Sequence, residues 1–200
     1  MNIRKYWKNI EDTLDVESAA IKDLKNKLNA ETIIEIIKLL EKTREKVYVT
    51  GCGTSGAAAK KIVHSLNCVE RPSNYINPTD AVHGGLGVIQ KGDILIMISK
   101  GGNTQEIINL IPACKEKKAI IIGVTENVDS IIAKEANYLL NVKIDKEPDP
   151  FNMLATASTI AVISTFDAIC IALMEYKQYT KKDFSTIHPG GAVGERLLND

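Results

Sequence analysis

The chain has 200 residues, of which 44% are hydrophobic, enough for one well-packed domain and too few for two full ones. Its 25 acidic and 25 basic residues balance, so no basic field is present to attract nucleic acid or an anionic membrane. No stretch reaches the roughly 18 apolar residues of a membrane span, and the first residues lack the apolar core of a secretory signal. We therefore expect a cytoplasmic protein with no nucleic-acid or membrane partner.

Residues 2–45 carry the pattern of two helices, with apolar side chains at three-, four- and seven-residue spacings. Five short apolar runs follow, near residues 47–51, 73–77, 94–99, 119–124 and 138–144, and helical segments separate them. This alternation is typical of right-handed β-α-β crossovers, and nearly continuous apolar strands indicate burial on both faces of a sheet.

The predicted fold is therefore α/β, with three layers built on a doubly wound, five-stranded parallel sheet of flavodoxin-like order 2-1-3-4-5. We expect residues 1–200 to form a single domain, in which 1–45 are helices packed on a core of residues 46–200. Residues 151–176 are apolar and rich in small side chains, which predicts a deeply packed helix. A final short helix is expected after residues 187–191.

Four cysteines, Cys52, Cys68, Cys114 and Cys170, are far apart in the sequence. No C-x-x-C pair and no histidine at metal-ligand spacing accompanies them. The sequence therefore predicts reduced thiols and no metal site.

Two loops concentrate glycine and hydroxyl residues between a predicted strand and a predicted helix. One spans residues 51–56 after the first strand, and the other spans residues 99–104 after the third. The free N–H groups and the dipole of a helix N-terminus favour an anion, and glycines allow it to approach closely. In the order 2-1-3-4-5 these two strands are neighbours at the point where strand order reverses, where doubly wound sheets bind ligands. The candidate phosphosugar-binding residues are Gly53, Thr54, Ser55, Ser99, Gly102, Asn103 and Thr104.

Two other interpretations of the first loop stay open. Gly51, Gly53 and Gly56 match the dinucleotide pattern G-x-G-x-x-G. However, the second strand ends without an acidic residue for a ribose hydroxyl, which argues against NAD. Thr54 and Ser55 are also suited to cap a helix.

The motifs Gly-x-Gly-x-Ser-Gly and Ser-x-x-Gly-x-Thr-x-Glu resemble the sugar isomerase (SIS) domain. His83-Gly-Gly-Leu-Gly87, Lys146-Glu147 and His188-Pro-Gly-Gly191 narrow the resemblance, which covers roughly residues 15–198, to the arabinose-5-phosphate isomerase branch. It implies interconversion of D-arabinose 5-phosphate and D-ribulose 5-phosphate without a cofactor. The CBS domains that commonly follow this domain are not expected in the 200 residues.

The resemblance also implies catalytic roles for Glu147, His188, His83 and Glu106. An aldose–ketose isomerase needs a base to move a proton between C2 and C1, and groups that stabilise an enediolate. Glu147 follows the fifth strand in a segment that its prolines make rigid. Three positions depart from the family pattern, which has lysine at Thr54, aspartate at Gly85 and glutamate at Asn103.

Two rival functions remain, a 6-phospho-3-hexuloisomerase and a non-catalytic sensor of a sugar phosphate or nucleotide sugar. Apolar surface on the first helix and on the helix near residues 153–174 exceeds what one sheet can cover, which predicts a homodimer or homotetramer. In that assembly we expect His83 or His188 to reach a neighbour's crevice.

Overall fold

The computed structural model describes residues 3–191 together with residues 194 and 196. Five strands form one sheet of order β2-β1-β3-β4-β5, and all neighbouring strands are parallel. The order predicted from the sequence is therefore confirmed. The strands are β1 (Val47–Gly51), β2 (Ser73–Tyr75), β3 (Ile94–Ile98), β4 (Ile120–Thr125) and β5 (Tyr138–Asn141).

The helices of the described residues connect the strands and cover both faces of the sheet. They are α1 (Ile3–Lys27), α2 (Ala30–Lys42), α3 (Gly53–Cys68), α4 (Pro78–Ala81), a 3₁₀ helix (Gly85–Val88), α5 (Gln105–Ile108), α6 (Ile111–Glu116), α7 (Ile131–Glu135), α8 (Ala157–Tyr176) and α9 (Lys181–Ile187). The final short helix expected after residue 191 lies largely outside the described residues.

The two faces of the sheet bury separate apolar clusters. On one face, side chains such as Ile94 and Ile96 of β3 pack with α1, α2, α3 and α8. On the other, Leu95 and Met97 pack with the shorter helices α5, α6 and α7. Alternate residues of β3 thus serve opposite layers, which is why its sequence is apolar throughout.

Helix α8 is the core helix of the first face. It is long and apolar enough to cross a membrane by length and composition, although the sequence pattern indicated no such stretch. In this fold it packs against α1, α2 and α3 and buries Phe166 and Leu173 completely. Its first turn lies at the carboxyl ends of the strands, where it contributes to the site described next.

Candidate functional site

The loop between β1 and α3 presents an uncapped helix N-terminus. Gly51 has no room for a side chain, since a Cβ atom would lie 2.6 Å from the Ser55 carbonyl oxygen. Gly53 has a φ of +54°, which glycine adopts without strain. Cys52 precedes the helix and makes no side-chain cap. The first-turn amides of α3, which include those of Thr54 and Ser55, therefore stay available to a ligand.

The loop between β3 and α5 is braced from within. Ser99 is buried, and its Oγ lies 2.8 Å from Thr104 Oγ1 and accepts a 3.0 Å hydrogen bond from the Gly102 amide. Gly102 has a φ of +68°, and a Cβ atom there would lie 2.0 Å from Ser130 Oγ. These contacts fix the shape of the loop. Much of the hydrogen-bonding capacity predicted for a ligand is used inside it.

Asn103 ties this loop to the next one. Its Oδ1 accepts a 3.0 Å hydrogen bond from the Ile131 amide at the start of α7, and the neighbouring Gly102 carbonyl accepts one of 3.1 Å from Ile132. The Asn103 side-chain oxygen therefore satisfies an otherwise free amide in the first turn of α7.

A small, partly enclosed cavity of about 70 Å³ lies between these loops and the first turn of α8. We call it the inner crevice. Its walls combine apolar side chains of the sheet with polar groups from four segments of the chain. The polar and charged residues that line it are Thr54, Ser55, Lys100, Thr125, Glu126, Ser158 and Thr159.

Glu147 lies beneath this crevice as a fully buried carboxylate. Lys100 Nζ donates to its Oε1 at 2.8 Å, and the amides of Thr156 and Ser158 donate to its Oε2 at 3.1 and 3.3 Å. The Ser158 hydroxyl also donates to Oε1. Glu147 thus caps α8 and forms an ion pair with Lys100 at the same time.

The hydrogen bonds decide the ionisation of Glu147. Burial alone raises its pKa, but the Lys100, Ser158 and backbone donors outweigh burial and hold the pKa below the ordinary value of 4.5. A carboxylate that is surrounded by donors and weakly basic is a poor proton acceptor.

A second, open cavity of about 400 Å³ lies on the other side of the β1–α3 loop. We call it the outer cleft, and its polar side chains are Cys52, Lys60, Tyr75, Asn77, Thr79 and Glu106. Glu106 is exposed. Burial, followed by the nearby Glu106 charge, raises the pKa of the Cys52 thiol, so this thiol is not activated as a nucleophile.

The two predicted histidines lie elsewhere. His83 is exposed in the turn between α4 and the 3₁₀ helix. His188 stacks on Phe184 with ring centroids 4.0 Å apart, and its Nδ1 lies 2.9 Å from the Phe184 carbonyl oxygen.

Among the described residues, His188 does not line the inner crevice of its own chain. The crevice lies at the first turn of α8, which has 20 residues and so is about 30 Å long. His188 follows the other end of α8, after residues 177–180 and the seven-residue α9, which itself spans about 10 Å.

The structure brings together residues that the motifs did not single out. Lys100, Thr125, Ser158 and Thr159 line the inner crevice with Thr54 and Ser55. The family pattern has a lysine at position 54, where this chain has Thr54. In this chain a lysine, Lys100, lines the same crevice from the neighbouring loop. The available signal for Lys100 was its place two residues after the end of a buried parallel strand. No sequence pattern indicates that Lys100 pairs with Glu147, which lies 47 positions further along the chain.

Comparison with known proteins identifies the family of this chain and a relative whose activity is named. The SIS domain family matches residues 39–172. Arabinose 5-phosphate isomerase KdsD of Francisella tularensis is 36% identical over 200 residues, which are 99% of this chain and 61% of the relative. The chain therefore spans about three fifths of the length of the curated relative that it matches.

Two solved structures superpose closely on this chain. A Listeria monocytogenes protein, provisionally assigned as a sugar-phosphate isomerase, is 56% identical with a TM-score of 0.93, and the match covers 95% of this chain and 100% of that one. An Escherichia coli CFT073 protein in complex with arabinose 5-phosphate is 29% identical with a TM-score of 0.89, covering 94% and 100%. The chain belongs to the SIS domain family.

Proposed function

We propose that the protein is a cytoplasmic aldose–ketose isomerase that interconverts D-arabinose 5-phosphate and D-ribulose 5-phosphate. The observation that carries the proposal is the inner crevice, a small, partly enclosed cavity at the switch point of the sheet that polar groups from four segments of the chain line together with apolar side chains. The isomerase name of the F. tularensis relative and the sugar-phosphate complex of the E. coli protein support the choice of substrate.

The inner crevice has the size and chemistry of a phosphate site. A cavity of about 70 Å³ holds roughly five water-sized groups, at about 10–15 Å³ each, and a phosphate group has five heavy atoms. The α3 amides, the hydroxyls of Thr54 and Ser55, and the Lys100 amine all border it. Each of these groups can donate a hydrogen bond to an anion.

The sugar would then extend from the crevice past the β1–α3 loop into the outer cleft. Glu106 lies there as an exposed carboxylate, and we propose it as the base that moves the proton between C2 and C1. Glu147 was the other candidate from the sequence. Glu147 accepts hydrogen bonds from four donors and has a lowered pKa. These properties favour a role in holding the Lys100 ammonium group over a role in proton transfer.

We propose that one or both histidines act in a neighbouring subunit. A stripe of exposed apolar residues on the first half of α1 (Ile3, Tyr6, Trp7, Ile10 and Leu14) supports the proposed homodimer or homotetramer. His188 follows the far end of α8 and does not line the inner crevice of its own chain, which favours a role in a neighbouring chain. We propose that it, with His83, completes the site as a proton donor for ring opening.

The two rival functions are less well supported. A non-catalytic sensor and a 6-phospho-3-hexuloisomerase would each fit the fold, but the relative that matches nearly the whole chain is named as an arabinose 5-phosphate isomerase. Fold alone does not separate these functions, because one fold serves many.

The deciding experiment follows deuterium at C2 of arabinose 5-phosphate. We expect the purified protein to release the label to solvent and to form ribulose 5-phosphate, both observed by NMR. Unphosphorylated arabinose is the control and should keep its label. A sensor would be stabilised thermally by the sugar phosphate and yet leave the label in place.

A further inference from the structure

The ion pair between Lys100 and Glu147 joins a partly exposed group to a fully buried one. The Lys100 side chain is 34% exposed and the Glu147 side chain 0%. Lys100 comes from the loop after β3 and lines the inner crevice together with Thr54 and Ser55. Its ammonium is therefore the end of the pair that a ligand in the crevice can reach.

Glu147 does not depend on Lys100 for its hydrogen bonds. The Ser158 hydroxyl and the amides of Thr156 and Ser158 all donate to the carboxylate, and the Asn152 side chain accepts a 2.6 Å hydrogen bond from the Glu147 amide. The carboxylate is thus held in place by donors other than Lys100. A buried anion held in this way restrains a flexible lysine amine that would otherwise sample many rotamers.

Lys100 keeps hydrogen-bonding capacity for a ligand. An ammonium group has three N–H donors, and one of them is directed at Glu147 at 2.8 Å. In the part of the chain that the structure describes, no other partner is recorded for Lys100. Glu126 is the other charged side chain among the described residues that line the crevice, and its charge opposes an anion.

We infer that Lys100 is the residue that selects phosphorylated ligands in the inner crevice, and that Glu147 is a positioning residue that holds the Lys100 ammonium there. This inference rests on the proposed function, since it assigns the phosphate recognition of the same site. It gives the buried carboxylate a task that does not require it to accept a proton.

The first test compares Lys100→Met with Lys100→Arg by calorimetric titration of arabinose 5-phosphate, arabinose and inorganic phosphate. Lys100→Met keeps the apolar stem and loses the charge. We expect its Kd for arabinose 5-phosphate to rise about 10- to 100-fold, as for a lost hydrogen bond to a charged group, while the Kd for arabinose changes less than about twofold. Lys100→Arg keeps the charge and should stay within about fivefold. Lys91→Met, an exposed site before β3, is the matched control.

The second test is a double-mutant cycle on the pair. If Glu147 acts through Lys100, Glu147→Gln raises the Kd for arabinose 5-phosphate about 3- to 10-fold in the wild-type background and has no further effect in Lys100→Met. A merely structural role would weaken binding equally in both backgrounds. The double variant Lys100→Met/Glu147→Gln removes both charges at once, so it also serves as the folded reference if Lys100→Met alone is unstable.

The outcomes separate this inference from the proposed function. If the wild type isomerises arabinose 5-phosphate and Lys100→Met binds it equally well, the inference is overturned and the function stands. If the wild type isomerises no pentose phosphate but binds inorganic phosphate through Lys100, the function fails and the inference stands. Equal effects of Glu147→Gln in both backgrounds overturn the positioning role. Binding of neither phosphate nor phosphosugar by the wild type overturns both.

Discussion

The inner crevice and the outer cleft lie on opposite sides of one loop, and one charged side chain in each is satisfied differently. In the inner crevice, the charged Lys100 is held by another side chain. Lys100 is bonded to Glu147, and the adjoining loop is braced by Ser99, Thr104 and Gly102. In the outer cleft, Glu106 is exposed and, within the described residues, has no recorded hydrogen bond or ion pair.

This contrast suits the inner crevice to phosphate binding and the outer cleft to proton transfer. Donors that are already fixed lose little entropy when an anion arrives, which favours tight and specific binding. A carboxylate with free lone pairs can accept a proton, whereas one surrounded by donors cannot do so readily. Substitutions in the two regions should therefore have different effects, and the largest is expected in the outer cleft.

Replacing Glu106 should cost the most activity. If Glu106 is the base, Glu106→Gln lowers kcat by about 10²- to 10⁴-fold and leaves the KM for arabinose 5-phosphate within a few-fold. Glu116→Gln, at an exposed position in α6, makes the same charge change and should be neutral. A steady-state assay of both variants decides the point. Nearly normal kcat in Glu106→Gln would return the role of base to Glu147.

Mixing inactive subunits tests whether the outer cleft is completed by a neighbour. His188→Ala and Glu106→Gln chains should each be inactive alone. After exchange of subunits in an equal mixture, half of the dimers contain both chains and each has one intact site, which restores about a quarter of wild-type activity. Absence of any rescue, or a monomer by light scattering at micromolar concentration, would contradict a shared site.

Gly102 tests the bracing behind the inner crevice. In Gly102→Ala, the alanine would have to adopt the positive φ of Gly102. Its Cβ would lie 2.0 Å from Ser130 Oγ and 2.8 Å from Thr125 Oγ1. We expect the free energy of unfolding to fall by about 2–4 kcal/mol. Gly101→Ala, with nothing within 4 Å of its Cβ and an ordinary φ, should change it by less than about 0.5 kcal/mol. Chemical denaturation of both variants measures the difference, and equal stabilities would refute the bracing role.

The ionisation of Glu147 should be visible at acid pH. Its pKa is below 4.5 in the folded chain, so its charge stabilises the fold above the ordinary pKa. That stability is lost as the pH falls through the lowered value. The difference in unfolding free energy between wild type and Glu147→Gln should therefore narrow as the pH falls below about 4.5. A difference that is constant from about pH 6 to about pH 3 would mean that the Glu147 charge contributes nothing.

The sequence predicted the strands and loops that form this site better than the side-chain contacts within it. Glycines and apolar runs are local signals, and they located β1, β3 and the two loops correctly. The hydroxyl of Ser99 was predicted to bind a ligand, yet its burial within its own loop depends on packing that a local pattern does not record. The pairing of Lys100 with Glu147 joins residues 47 positions apart, and only the assembled sheet brings them together.

The most direct test of the account is a crystal structure with arabinose 5-phosphate bound. We predict that its phosphate group lies in the inner crevice, within hydrogen-bonding distance of Lys100 Nζ and of the first-turn amides of α3, with C1 and C2 directed toward Glu106. A phosphate group bound instead in the outer cleft, beside Lys60, would contradict the division of the site into a phosphate-binding crevice and a cleft for proton transfer.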